Sequence, residues 1–424
     1  MPRIVTSTKP TPRTKQLLSA SPTQVPEPDL ARALDLVMEL MQVPGPSCHE
    51  GEVAVLVREK LLKAGVPAAA ILSDDAHKRS PAGGEVGNLI VRLPGTIRGP
   101  RRLMMAHLDT VPICIGCKPD RRGAYIESAN PQTGLGADNR SGVAVVLAAA
   151  LEIFERKLPY PPLTLLFSVQ EELGLFGTRF VTIGWLGKPK PAWNWDGRGP
   201  HRITRAATGG RTINVTLHGI ASHAGGAPQR GVSAVAIAAL GIHDLVAGGW
   251  HGEVTKGRNY GTSNLGIIHG GDATNVVTDR VEIKGECRSH DRKFLDRIVR
   301  QSERAFRRAA RTLRNDKGQR GRAEIVSTVE YESFYLRDDE PCVQAAQAAI
   351  QSIGMEPELL TTQSALDANW MNFHGIPTAT LGAGQVCGHS VEECLDIEQF
   401  QTGCRVGLRL ATGSHRTCST WTRS

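Results

Sequence analysis

The chain has 424 residues, 40% of them hydrophobic and 22% charged, with a formal net charge of +8. This length predicts two domains, and because no apolar run reaches about 18 residues, a membrane-spanning helix is excluded. The nine cysteines are dilute and irregularly spaced, which disfavours a secreted disulfide framework and predicts a cytoplasmic location.

The net positive charge comes from the two ends of the chain. Residues 1–26 and residues 401–424 each carry four basic and no acidic side chains, so the body between them is formally neutral. Residues 1–28 are predicted to form a disordered basic tail, and residues 413–424 a C-terminal tail. The basic stretch 292–322 has apolar residues at helical spacing, which favours a solvated helix face over an RNA or phosphate-binding surface. We therefore expect neither a nucleic-acid partner nor a membrane partner.

The first half of the chain alternates between helical and strand patterns. Apolar positions at helical spacing cover residues 29–62, interrupted by the turn Pro44-Gly45-Pro46. Short apolar runs and helical segments follow at 88–93, 102–106, 142–154 and 163–169. This alternation predicts an α/β sheet, much of it parallel.

A different pattern begins near Gly209. Strand patterns at 211–217, 262–268, 280–287 and 323–329, with helical patterns at 232–246 and from residue 292, predict helices packed on a small antiparallel sheet. After Asp339 the earlier alternation resumes. We therefore predict an α/β catalytic domain in two parts, residues 29–208 and 332–412, with an α+β lid domain, residues 209–331, inserted between them.

Five short segments place a metal-ligand side chain at the end of an apolar strand or in a glycine-rich turn. In open α/β sheets the carboxyl ends of the strands line the ligand crevice, so these loops are expected to converge. The segments are MMAHLDT with His107 and Asp109, GLGADNRSG with Asp138, SVQEELG with Glu171 and Glu172, WNWDGRG with Asp196, and GAGQVCGHS with His389.

The adjacent pair Glu171 and Glu172 indicates a divalent metal. Two neighbouring carboxylates in a water-poor cleft repel each other unless cations neutralise them. One glutamate can then bind metal while the other takes a proton from a metal-activated water. The His-x-Asp spacing suits Asp109 as the carboxylate that orients His107. Each segment alone is also typical of a buried histidine, a helix cap or a surface carboxylate pair, but their joint occurrence favours a metal site.

The motifs HLDT, GLGADNRSG, EELG, WDG, SHAG and a late GH followed by Glu393 occur in this order. The set resembles the dinuclear zinc peptidase/deacylase superfamily, which contains carboxypeptidase G, aminoacylase and peptidase T. The resemblance covers both predicted domains. It implies a zinc-exopeptidase-like catalytic domain with a mostly parallel mixed sheet, and an inserted α+β lid and dimerisation domain.

The resemblance also implies two zinc ions per subunit, with cobalt or manganese as substitutes. Asp138 would bridge the two metals. His107 and Asp196 would complete one site, and Glu172 and His389 the other. The peptide bond that follows Asp138 would be cis.

For the remaining site residues the resemblance implies catalytic and substrate-binding roles. Glu171 would be the general base and acid, and Asp109 would stand behind the histidine of HLDT. His223 in the lid would stabilise the oxyanion, often in the partner subunit's site. Asn275 and Arg288 would hold a substrate carboxylate, for which a guanidinium group is well shaped; a surface ion pair is the alternative for Arg288.

Several positions depart from the superfamily pattern. Arg140 stands where many members have lysine, and TTQSALDANW replaces the more usual Gly-Gly-Thr-Asp, which puts substrate contacts from Ser364 and Asp367 in doubt. Asp196, rather than glutamate, favours free peptides over acylamino acids as substrates.

Three cysteines have no role in this pattern. Cys114 and Cys117 form a lone CxxC and are predicted to be unpaired loop cysteines rather than half of a zinc or redox site. Cys387 precedes His389 by two residues, and we hypothesise that it lies near the metals and is sensitive to oxidation.

These features predict a peptidase T-like aminopeptidase that acts on short peptides. An N-acyl amino acid deacylase or carboxypeptidase is the nearest alternative. A catalytically silent binding protein is disfavoured, because it has no reason to keep all five ligands and Glu171. Nucleic-acid binding through the tails would predict salt-sensitive retention. The apolar helix at 232–246 is compatible with a homodimer formed through the lid and equally with packing inside the lid.

Overall fold

A computed structural model describes residues 26–414. The α-helices in this range are Leu30–Gln42 (α1), Gly51–Lys63 (α2), Ala76–Arg79 (α3), Ala137–Glu155 (α4), Phe176–Arg179 (α5), Ala234–Ala247 (α6), Arg292–Thr312 (α7), Pro341–Gln351 (α8), Ala368–Phe373 (α9) and Ile397–Thr412 (α10). None of them combines the length and the apolar character needed to cross a bilayer.

The strands of the described chain are assigned to three sheets. In chain order they are Ile71–Ser73 (β1), Leu89–Leu93 (β2), Arg102–His107 (β3), Pro119–Arg122 (β4), Tyr125–Ser128 (β5), Leu163–Ser168 (β6), Ala192–Trp195 (β7), Arg202–Ala207 (β8), Gly209–His218 (β9), Gly252–Lys256 (β10), Asn259–Gly270 (β11), Arg280–Ser289 (β12), Arg322–Tyr331 (β13), Phe334–Tyr335 (β14), Glu358–Thr362 (β15), Thr378–Leu381 (β16), Gln385–Val386 (β17) and Cys394–Asp396 (β18).

The central sheet has nine strands in the order β1-β2-β6-β3-β7-β16-β8-β14, with β15 added on β8. The strands β6, β3, β7 and β16 run parallel in its middle, and antiparallel pairs flank them. Every residue of β3 and β6 is buried, as expected for parallel strands covered on both faces. The sheet is therefore mixed with a parallel centre, which confirms the predicted fold class.

The second sheet is antiparallel, in the order β10-β11-β12-β9-β13, and all its strands lie within residues 209–331. Helices α6 and α7 pack on it around a core of its own. Strand β10 was not predicted. Only Val254 of this edge strand is buried, so the strand lacks the apolar alternation that identifies the others.

Two chain segments, residues 207–209 and residues 331–333, connect the central sheet to the lid sheet. The fully buried Asn369 lies between them and donates its side-chain amide to the carbonyl oxygens of Thr208 (2.9 Å) and Glu332 (2.7 Å). Arg211 adds an ion pair with the Glu332 carboxylate at 3.3 Å. One side-chain amide thus ties both segments together.

A third sheet, in the order β17-β18-β5-β4, was also not predicted. Its strands have two to four residues each, too few to show a clear period in the sequence. It matters for the site because the loop between β17 and β18 carries His389.

The predicted tails lie mostly outside the described residues, which exclude 1–25 and 415–424. Arg405 and Arg409 belong to the basic stretch 401–424. Both lie in α10 and bind the carboxylate of Glu27, at 3.0 Å and 2.6 Å. Part of the positive charge therefore belongs to the folded body, because α10 continues to Thr412.

Candidate metal centre

The ends of neighbouring strands of the central sheet bring the predicted ligands together. His107 is the last residue of β3, and Asp196 directly follows β7. Glu172 lies in the turn after β6, and Asp138 lies in the first turn of α4, where the backbone is not helical. His389, from the β17–β18 loop, completes the group. The Asp138–Asn139 peptide bond is cis, as the resemblance implies.

Asp138 lies at the middle of this group. His107 Nε2 is 3.3 Å from Asp138 Oδ1 and 3.9 Å from Asp196 Oδ1. On the other side, His389 Nε2 is 3.5 Å from Asp138 Oδ2 and 2.9 Å from Glu172 Oε1. The ligand atoms of His107, Asp138 and Asp196 all lie within 4.8 Å of one another, and so do those of Asp138, Glu172 and His389. Two triads therefore share one aspartate.

The chemistry of these donors fits two divalent cations. Mixed imidazole and carboxylate ligation suits zinc. Burial and the neighbouring Asp138 raise the pKa of Asp196 to about 7, and burial raises the pKa of Glu172 to about 7. The buried Oδ1 of Asp138 accepts no hydrogen bond within the described chain. Positive charge between these carboxylates would stabilise their ionised forms.

Asp109 connects His107 to the glutamate pair. Its buried carboxylate accepts the peptide N–H groups of Glu171 (3.0 Å) and Glu172 (3.1 Å) and the hydroxyl of Ser47 (2.6 Å). Its Oδ1 is 3.4 Å from His107 Nδ1. Burial opposes ionisation of Asp109, but the hydrogen bond and charge of His107 outweigh it and lower the pKa of Asp109. The Asp109 carboxylate therefore holds the backbone of the Glu171–Glu172 turn, while His107 Nδ1 is hydrogen-bonded to the backbone carbonyl of Asp109 at 3.0 Å.

Glu171 lies beside the two triads, and its carboxylate is within 4.8 Å of His107 and Glu172. Burial raises the pKa of Glu171 well above its usual value, against the opposing charge of His107, and the carboxylates of Asp196 and Asp367 raise it further. This raised pKa favours the protonated carboxyl group, which is the form that a general acid needs.

The predicted lid residues are located apart from this cluster. His223 is exposed, and its Nδ1 accepts the N–H groups of Gly225 (3.1 Å) and Gly226 (2.9 Å), which leaves the proton of the neutral ring on Nε2. Asn275 is also exposed, and its carbonyl accepts the N–H of Ala224 beside His223. Within residues 26–414, no described hydrogen bond or ion pair joins either side chain to the two triads.

Arg288 bonds to one residue of the lid and to one residue outside it. Its guanidinium donates to both carboxylate oxygens of Glu286, at 3.1 Å and 2.9 Å, and to the carbonyl of Gln363 at 3.4 Å. The ion pair considered from the sequence is therefore present. A role in holding a substrate carboxylate stays a prediction, as do the roles of His223 and Asn275.

The chain is similar in sequence to a family of known peptidases. The sequence pattern of peptidase family M20/M25/M40 matches residues 103–413. The chain belongs to this family. Bacillus subtilis YqjE, an uncharacterised protein, is 31% identical over 370 residues, which cover 87% of this chain and 94% of YqjE.

Two solved structures are similar over nearly the whole chain. A tripeptidase from Staphylococcus aureus superposes with a TM-score of 0.83 at 27% identity, and aminopeptidase PepT from Bacillus cereus with 0.81 at 29%. Each comparison covers 92% of this chain and 100% of the other. Membership of the M20 family makes this chain a metal-dependent hydrolase.

Two of the departures from the superfamily pattern, Arg140 and Asp367, are buried. Arg140 is buried and donates to the carbonyls of Leu108 and Val43, so it braces the loop that follows β3. Asp367 is fully buried and accepts the hydroxyls of Ser168 and Thr178, whereas Ser364 is exposed. Asp367 is thus enclosed by protein groups behind β6.

Sequence reasoning assigned no role to several residues that support the centre. Asn139 donates to the carbonyl of Trp195 at 2.6 Å, and Gln385 donates to Asp196 Oδ1 at 3.3 Å. The fully buried Glu50 accepts the N–H of Gln170, the residue before Glu171, at 3.0 Å. A positive φ of 55° at Gln170, rare for a residue with a side chain, marks this turn in the structure but leaves no trace in the sequence.

The three cysteines outside the pattern are all free. Cys114 and Cys117 are buried and unpaired, as predicted, and the Cys114 thiol lies 3.5 Å from Glu393 Oε2. Cys387 is exposed in the loop that carries His389. Its sensitivity to oxidation stays a prediction.

Proposed function

We propose that this M20 hydrolase is an aminopeptidase that releases the first residue of short peptides and holds two zinc ions, with cobalt or manganese as substitutes. The observation that carries the proposal is the pair of triads that share Asp138, with Glu171 beside them. The similarity to a tripeptidase and to PepT, at 27% and 29% identity, supports a peptide substrate.

In the proposed reaction, two metal ions held by the two triads would polarise the scissile carbonyl and lower the pKa of the attacking water. Glu171 accepts the proton of that water and passes it to the leaving nitrogen. Its raised pKa favours this transfer, because it makes the carboxylate a stronger proton acceptor. Asp109 keeps His107 and the glutamate turn in place through its hydrogen bonds.

The lid supplies the remaining groups of the proposed reaction. His223 presents its Nε2 proton as a donor to the developing oxyanion, because backbone N–H groups occupy Nδ1. Asn275, on the neighbouring loop, and Arg288 would bind the far end of the peptide. Arg288 would then exchange its bonds to Glu286 for bonds to a substrate carboxylate.

The test is mass spectrometry of the products from one tripeptide in free, N-acetylated and C-amidated forms, each incubated with the zinc-loaded protein. We expect the free and amidated forms to lose their first residue, and a chelator to stop the reaction. The variant Glu171→Gln serves as the control for a contaminating peptidase. Reaction of the acetylated form alone, with loss of acetate or of the last residue, would instead support a deacylase or a carboxypeptidase.

We further propose that two subunits pair through the lid. Strand β10 covers β11 only as far as Ser263, so on that side residues 264–270 have no described partner strand. Ile267 and Ile268 in this stretch are each 58% exposed. An open strand edge with apolar side chains is suited to pairing with a second chain.

Light scattering after size exclusion tests this pairing. The double variant Ile267→Lys, Ile268→Lys is expected to be monomeric. Val326→Lys is the matched control, because Val326 is 54% exposed on β13 at the opposite edge of the same sheet. A monomeric parent protein would contradict the pairing.

We also propose a cytoplasmic location for the protein, as predicted from its dilute and irregularly spaced cysteines.

A further inference from the structure

Glu393 forms an unusually complete set of hydrogen bonds next to the proposed metal centre. Its side chain is buried, with the residue 2% exposed. Oε2 accepts the N–H groups of Leu135 (2.9 Å) and Gly136 (2.7 Å), and Oε1 accepts the N–H of Asp138 (2.9 Å). Both carboxylate oxygens therefore bind the backbone of the turn that ends at Asp138.

The contact between this turn and the β17–β18 loop is also sterically tight. A Cβ atom on Gly134 would lie 2.8 Å from the carbonyl oxygen of Ser390 and 3.1 Å from Glu393 Oε2. The Cys114 thiol closes a further side of the carboxylate at 3.5 Å. Only glycine fits at position 134, so the two loops pack directly against each other.

One short loop thus carries one predicted ligand and holds the backbone of another. His389 precedes Glu393 by four residues, and its Nε2 lies 3.5 Å from Asp138 Oδ2. We propose that Glu393 is a positioning residue that sets the spacing between Asp138 and His389. Through this spacing it sets the affinity of the Asp138–Glu172–His389 site for its metal. The inference rests on the metal centre proposed above.

A carboxylate is suited to this position for two reasons. It only accepts hydrogen bonds, and each of the four groups that contact its two oxygens, three backbone N–H groups and the Cys114 thiol, is a donor. An amide would turn an NH₂ group toward at least one backbone N–H. An aspartate would keep the charge but is one methylene shorter, so it could not hold the turn at the present spacing.

Glu393→Gln is the variant that tests the proposal, and Asp74→Asn is its matched control. Asp74 is also a buried carboxylate, 2% exposed, and accepts the backbone N–H groups of Ala76, Asn88 and Thr182 at 2.9–3.1 Å. It has no described bond to the two triads. Neutralising either carboxylate costs stability, but only Glu393 is expected to influence metal binding.

The measurement is zinc binding by competition with a chromophoric chelator, together with thermal unfolding of the metal-free proteins. We expect Glu393→Gln to bind one of its two zinc ions about 10- to 100-fold more weakly, the usual effect of removing a residue that orients ligands. Asp74→Asn should unfold at a lower temperature with both zinc affinities unchanged.

Parental zinc affinities in Glu393→Gln would overturn this inference. If that variant does not fold, Glu393→Asp decides the matter in the same way, since it keeps the charge and changes only the reach. A parent protein that binds no zinc would instead refute the metal centre itself, so the two failures are distinguishable.

Discussion

The central sheet and the lid hold their predicted site residues in opposite ways. His107 and Asp109, at the end of a central strand, are 1% and 0% exposed. His223 and Asn275, on lid loops, are exposed. The Asp109 carboxylate accepts the backbone N–H groups of Glu171 and Glu172. In contrast, His223 bonds within the lid, and Arg288 bonds to Glu286 of the lid and to the carbonyl of Gln363 outside it.

The contrast distinguishes site residues that the fold of the catalytic domain brings together from site residues whose position depends on the placement of the lid. His107, Glu172 and Asp196 meet because the parallel strands that precede them end at one edge of the central sheet. Asp138 reaches this edge from the start of α4, and His389 from the loop between β17 and β18. The lid residues belong to a separate sheet, so their approach to that edge depends on how the lid is placed. Asn369 bonds to both segments that connect the central sheet to the lid. It belongs to TTQSALDANW, the segment that departs from the superfamily pattern. Four variants sharpen the contrast.

Glu171→Gln should have the largest effect. Loss of the general base is expected to lower kcat by about 10³-fold or more, while both metals stay bound, because neither of the two triads that share Asp138 includes Glu171. Zinc content must be measured as well, because His107, Glu171 and Glu172 also lie close enough to hold a metal. Turnover and zinc content of the same preparation give the answer. Loss of zinc along with activity would move Glu171 into the ligand set.

His223→Ala tests the lid side. We expect kcat to fall about 10²- to 10³-fold, as for removal of one oxyanion donor, with unchanged zinc content. His243→Ala, another exposed lid histidine, is the control. Mixing His223→Ala with Glu171→Gln protein should restore part of the activity if the lid acts on its partner's site, and none if it acts on its own.

Glu50→Gln tests the stability cost of burial on the central side. Burial, followed by the charge of Asp109, raises the pKa of Glu50 from 4.5 to about 7. The folded protein therefore loses stability as pH rises from 4.5 to 7, since the unfolded chain ionises first. The total reaches about 3 kcal/mol above pH 7, at about 1.4 kcal/mol per pKa unit.

An uncharged glutamine should remove that loss, because Oε1 still accepts its two backbone N–H groups while Oε2 has no described partner. Urea unfolding of the chelated proteins at pH 4.5 and pH 8 measures the gain, expected only at pH 8. Glu85→Gln is the control. Glu85 is exposed and paired with His49, so its neutralisation should bring no gain at either pH.

Arg288→Ala should have the smallest effect. If Arg288 holds a substrate carboxylate, KM should rise about tenfold for free peptides and stay unchanged for amidated ones, at about 1.4 kcal/mol. Arg280→Ala is the matched control. Arg280 forms an ion pair with Glu282, just as Arg288 does with Glu286, and both pairs lie on β12. Equal effects of both variants would reduce Arg288 to a surface ion pair.

The sequence predicted best what repeats or lies close together along the chain. Apolar runs identified the central strands β3 and β6, and motif order identified the segments that supply His107, Asp138 and His389. The short strands β4, β5, β10, β17 and β18 were missed because they have too few apolar positions to show a period.

Supporting contacts could not be predicted, because they join residues far apart in sequence. Glu50 binds Gln170, and Glu393 binds the turn at Leu135, 120 and 258 positions apart. A buried glutamate and a surface glutamate look alike in a sequence. Only the fold shows which backbone N–H groups meet the carboxylate.

The strand order of the central sheet also fixes when the enzyme can form during synthesis. Strand β16 lies between β7 and β8, yet the whole lid separates it from them along the chain. The lid sheet, drawn from one continuous segment, can finish pairing while the larger sheet still lacks its middle strand. His389 emerges from the ribosome later still. A nascent chain therefore carries a finished lid before it carries a complete set of ligands, and a chain that stops before His389 has no complete centre.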